Sequence, residues 1–121
     1  MTTAITKYLE EVLRDYPQSA RYIDHCEHQM IFETANGQVM ANNITTDRYL
    51  RRLKDNQRAV HDCLERSDVD TKQVIRTLYF NPVQRLTLRD AAIQLTMSVA
   101  TVSRKRKRFL ENLSKRLGLS M

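Results

Sequence analysis

An all-α fold is what this sequence predicts, and three observations carry that expectation. Only 2 glycines and 2 prolines occur in 121 residues, so the punctuation that a sheet of short strands needs is nearly absent. Apolar residues recur at three- and four-residue spacings along most of the chain, the signature of helices with one buried face. With 41% apolar and 28% charged residues the composition is that of a globular protein able to bury a core. The length allows one domain or two very small ones and excludes a large multi-lobed enzyme.

The first helix is predicted over Thr3–Asp15, where Ile5, Tyr8, Leu9, Val12 and Leu13 fall on one face. A second helix should begin at Pro17, because the fixed φ of proline suits a first helical turn, and run to Phe32 on Tyr22, Ile23, Cys26, Met30 and Ile31. Together they read as an antiparallel helical hairpin. The pattern lapses from Glu33 to Asn43, where Asn36-Gly37 is the strongest turn signal in the chain, and a flexible loop is expected.

A third helix follows from Thr46 to Arg66, capped by Thr45 or Thr46 with Asp47 in its first turn. Leu50, Leu53, Gln57, Val60 and Leu64 step by 3, 4, 3 and 4, a narrow seam with one polar member. Such a seam packs helix on helix, either between two copies as an oligomerisation stripe that sets register in a homodimer, or against the first two helices of the same chain. Ser67-Asp68-Val69-Asp70 ends this helix and caps a fourth over Thr71–Phe80, with Val74, Ile75, Leu78 and Tyr79 inward and Asn81-Pro82 as the stop.

From Leu86 the chain reads LTLRDAAIQLTMSVATVSRKRKRFLENLSKRLGL. Thr87 caps a short helix over 88–95 whose Ala91 and Ala92 let a second helix approach. Thr96-Met97 connect tightly, and Ser98 caps a long helix over 99–117. A short helix, a tight turn and a second helix able to enter a major groove make a helix-turn-helix. The charge follows the same division. Residues 85–121 hold nine Lys/Arg against Asp90 and Glu111, while residues 1–84 hold eleven against twelve, so the whole excess of +6 lies at the end of the chain. Two parts are therefore expected: a helical part over 1–68 for oligomerisation or partner contact, and a DNA-binding part over 69–121.

At about 100° per residue, Val102, Phe109, Leu113 and Leu117 share one side of the last helix, and Ala100, Thr101, Arg104, Lys107 and Arg108 the other. Small or polar groups at Ala100, Thr101 and Ser103 leave room for base edges, and Ser98 and Val99 before them belong to the expected DNA-facing set. Arg104 can offer its fork to a guanine, and Lys107 and Arg108, a turn deeper, suit phosphates. Thr87, Arg89 and Lys105 complete the expected DNA-facing set. Arg106 falls inside the apolar stripe, its stem either snorkelling along it or facing a partner.

Residues 86–113 resemble the promoter-reading region 4 of bacterial sigma factors, in Thr87, in Asp90-Ala-Ala-Ile-Gln-Leu95 and in Met97-Ser98. The whole chain is similar to the RinA/ArpU-type late-transcription activators of phages infecting Gram-positive bacteria. The matches are Glu11 to Tyr16-Pro17, Asp47 to Leu53, Leu78-Tyr-Phe-Asn81 and Ser98 to Leu113. The resemblance implies a transcriptional activator in the cytoplasm of a bacterial host, which binds a double-stranded promoter and recruits host RNA polymerase to late genes. A small terminase subunit or a repressor is the alternative expectation.

Enzymatic classes find no support. There is no glycine-rich phosphate loop and no nucleophile elbow. His25, Cys26 and His28, and His61 with Cys63, lack metal-ligand spacing, so neither metal nor other cofactor is expected. The two cysteines read as thiols of a reducing compartment, and no segment is long and apolar enough to predict a membrane span.

Overall fold

The computed structural model describes residues 2–35 and 41–119, with side chains described over 2–28 and 48–119. The helical spacing gives five helices: α1 (Thr3–Ala35), α2 (Ala41–Arg66), α3 (Val69–Tyr79), α4 (Leu88–Leu95) and α5 (Val99–Arg116). The fold is all-α, with no strand among the described residues.

Where two helices were expected before residue 33 there is one. α1 runs unbroken through Pro17, over 33 residues or about 50 Å. A proline inside a helix forfeits the bond its nitrogen would donate to the fourth residue back, at a cost of about 3 kcal/mol. That cost is offset by continuity. Leu9, Val12, Leu13, Ser19 and Ile23 are buried and Tyr16 half-buried, one stripe on both sides of an exposed Pro17, and α2 packs along it. The Ser19 hydroxyl donates to the Tyr16 carbonyl at 2.8 Å within this stretch.

The helices extend into both ends of the loop expected over 33–43, for a related reason. Glu33–Ala35 and Ala41–Asn43 are helical, because extending an existing helix is far cheaper than nucleating one. Thr45 and Thr46 are thus inside α2 and not its cap, and the Asn36-Gly37 turn lies outside the described residues. The remaining helix ends fall within about two residues of expectation, each fixed by a cap: Asp68 for α3, Thr87 for α4 and Ser98 for α5.

The division expected at residue 68 does not separate two cores. Leu9 and Leu13 of α1, Val60 and Leu64 of α2, Val74 and Ile75 of α3, Ala91 of α4 and Val102, Phe109 and Leu113 of α5 form one buried cluster. A part of about 50 residues buries little on its own, and the start of α1 and the end of α2 add a wall to its core. The same packing uses the stripe expected to join two copies. Leu50, Val60 and Leu64 are buried within the single chain, and Leu53 and Gln57 are half-buried beside a groove between α1 and α2. The seam therefore closes on α1, the second of the two packings the spacing allows, because the chain reverses direction and brings α1 to it first.

Candidate nucleic-acid interface

Two local devices set the angle of α4 and α5. Thr87 and Asp90 form a reciprocal capping box: the Asp90 N–H donates to Thr87 Oγ1, and the Thr87 N–H donates to Asp90 Oδ2, both at 3.1 Å. Ser98 Oγ accepts from the Thr101 N–H at 3.1 Å and donates to Thr101 Oγ1 at 2.8 Å. Between them Thr96 turns the chain at φ 57°, and the Met97 N–H closes on the Ala92 carbonyl at 3.0 Å. The left-handed region is strained for a β-branched side chain. Thr96→Gly should therefore raise stability by about 1 kcal/mol, read as a higher denaturation midpoint at an unchanged slope. A lower midpoint would show that the Thr96 side chain contributes more than its backbone costs.

α5 buries Val102, Phe109, Leu110 and Leu113 and turns Ala100, Arg104, Lys107 and Arg108 to solvent. Val99 is also outward, with 45% of its surface exposed. Thr101 and Ser103 are half-buried at the edges of this face. Thr87, Arg89 and Ser98 are exposed beside it, the Thr87 and Ser98 hydroxyls already engaged in capping.

Lys105 departs from the expected set. Its Nζ lies 3.1 Å from Asp68 Oδ2 and its side chain is only 18% exposed, so it ties α5 to the start of α3 and does not face outward. Hydrogen bonds from Thr71, then that from Lys105, hold the Asp68 carboxyl at about 2, well below the usual carboxylate range, so it is charged at neutral pH.

Arg106 neither snorkels into water nor waits for a partner. Its Nε donates to Tyr79 Oη at 2.8 Å, its guanidinium lies 3.3 Å from Glu10 Oε2, and the Tyr79 hydroxyl donates to the same Glu10 oxygen at 2.9 Å. Arg14 stands over the Tyr79 ring, 5.4 Å from its centroid. Burial first, and the Glu10 acceptor after it, push the Tyr79 hydroxyl up to about 12, against the opposing charge of Arg106. This network ties α1, α3 and α5 together. A tyrosine among core positions and an arginine within an apolar stripe were its only signals in the sequence.

At the far end of α5, Arg116 pairs with Asp62 of α2 at 2.6 Å. Three of the nine Lys/Arg in the last 37 residues are thus spent on carboxylates of the same chain. Arg104, Lys107 and Arg108 have no ion pair among the described residues and share the exposed face of α5. Among the described residues no three His, Cys, Asp or Glu side chains are grouped to hold a metal, and no helix is long and apolar enough to cross a membrane. No protein-family model matches this chain, and neither a curated protein nor a solved structure does.

Proposed function

We propose that the chain is a sequence-specific DNA-binding regulator of transcription, with α4 and α5 acting as a helix-turn-helix and the first turns of α5 entering the major groove. The observation that carries this reading is the unpaired face of Arg104, Lys107 and Arg108 on a helix whose Lys105, Arg106 and Arg116 are paired with carboxylates of the same chain. A face kept only for solubility has no need of a rigid mount. This one stands on a helix fixed by a cap, a core stripe and two polar ties to α3 and α1. The resemblance to sigma region 4 and to the RinA/ArpU-type activators supports the narrower form, an activator of phage late genes that works with host RNA polymerase.

Reading and holding should separate by position along α5. Arg104 lies within the first two turns, where side chains reach base edges, and Arg108 lies one turn further along. With a duplex selected by the protein from a random pool, Arg104→Ala should cost roughly 1–3 kcal/mol on the selected site and little on scrambled DNA. Arg108→Ala should weaken both together. An unchanged ratio of specific to scrambled affinity in Arg104→Ala would remove Arg104 from the reading role. Transcription from a promoter containing the selected site, with and without the protein, tests activation itself.

A further inference from the structure

On one flank of α5 the fold brings together groups that lie far apart in sequence. A cleft of about 510 Å³ is lined by Arg66 and Ser67 from the end of α2, Thr71 from the first turn of α3, and Arg104, Lys105 and Arg108 from α5. Asp68 is the one carboxylate in its wall, and it already accepts from Thr71 and Lys105. The Ser67 hydroxyl is spent on the Cys63 carbonyl at 2.7 Å. The guanidinium groups of Arg66, Arg104 and Arg108 are the charged groups the cleft has left to offer, with the Asn112 amide beside them. None of the three has an ion pair among the described residues.

Resting on the DNA-binding reading above, we infer that this cleft is a clamp for a phosphodiester of the duplex, with Arg66 of α2 as its outer jaw. Guanidinium groups suit phosphate oxygens, offering planar pairs of donors that stay charged at any physiological pH. Position argues for the polymer as the ligand. Lys105 and Arg106 project about 100° apart around α5. Arg106 shares a groove with Leu86, Thr87 and Leu88 at the start of α4, whereas Lys105 faces the cleft. The cleft and α4 therefore flank the exposed face on opposite sides. The two backbones of a duplex likewise border the major groove that α5 would occupy. Arg89 of α4 then meets one strand and Arg66 the other. Arg104 borders both the cleft and the reading face, so a duplex seated on α5 must pass one strand along this wall. Nothing in the spacing of α2 marks Arg66 for this role, because it ends a helix otherwise committed to the hairpin.

Arg66→Gln and Arg66→Lys in the full chain, titrated by fluorescence anisotropy against selected and scrambled duplexes at several salt concentrations, test the clamp. Arg66→Gln should weaken both duplexes equally, about threefold to tenfold near 0.1 M salt, and reduce the slope of log K against log salt by about 1. Arg66→Lys should keep the slope. Arg66 is exposed, and an unchanged melting curve checks that the fold is intact. Unchanged affinity and slope in Arg66→Gln, while the unaltered chain binds, would overturn the clamp and leave the DNA reading standing. Loss confined to the selected duplex would make Arg66 a base contact and overturn it as well. Selective displacement of DNA by inorganic phosphate at constant ionic strength, absent in Arg66→Gln, would assign the cleft to the free ion instead. Failure of the unaltered chain to bind any duplex would remove both proposals together.

Discussion

Phe109→Ala is expected to cost about 3–5 kcal/mol, the range for emptying a buried aromatic site, and so about a fifth or more of the roughly 5–15 kcal/mol that holds a protein of this size folded. Phe109 is 2% exposed and sits in the cluster where all five helices meet. The loss should not stay local. Because the start of α1 and the end of α2 share their core with α3, α4 and α5, hydrogen exchange of Leu9–Leu13 in α1 and of Val102–Leu113 in α5 should accelerate together in the variant, and one denaturation midpoint should serve both. Arg104→Ala, on the exposed side of the same helix, should move that midpoint by less than about 0.5 kcal/mol. A variant in which α1 and α2 melt separately and at their original midpoint would contradict the single shared core.

The salt dependence of DNA binding should be steep, yet shallower than the charge of the sequence suggests. Each neutralised phosphate contributes about −0.9 to the slope of log K against log salt. Counting all nine cations of the last 37 residues would give a slope of about −8 per bound chain. Lys105, Arg106 and Arg116 are committed to Asp68, Glu10 and Asp62, and Arg104 is assigned to bases. Of the nine, Arg85, Arg89, Lys107, Arg108 and Lys115 remain, Lys115 near the far end of α5; with Arg66 of α2 added, four or five phosphate contacts give an expected slope of about −3 to −5 per chain. A fourfold rise in salt should then lower affinity by roughly sixtyfold to a thousandfold. Anisotropy titrations at known stoichiometry between about 50 and 200 mM salt measure it, and a slope near −8 would mean that the internal pairs open on DNA.

Much of the last third of the molecule is legible residue by residue. Thr87 with Asp90, and Ser98 with Thr101, announce helix starts because a cap is a contact between residues three apart. Val102, Phe109 and Leu113 announce a buried side because helical spacing alone places them together. Pro17 misleads on the same local terms: it favours a helix start, and only the α2 stripe lying along both halves of α1 shows why the helix continues.

The class, the caps, the apolar stripes and the concentration of positive charge toward one end are therefore written in the chain before it folds. Each is set by interactions within a turn or two of chain, and each can be counted along a line. Tertiary structure alone decided which cations remain free. Lys105 meets Asp68 across 37 positions, Arg106 meets Tyr79 across 27, and Tyr79 meets Glu10 across 69. The Leu50–Leu64 seam likewise had two possible partners until the chain's reversal set α1 against it. A charge or an apolar stripe carries no mark of its partner, since Coulomb attraction and burial depend on distance in space and not on separation along the chain.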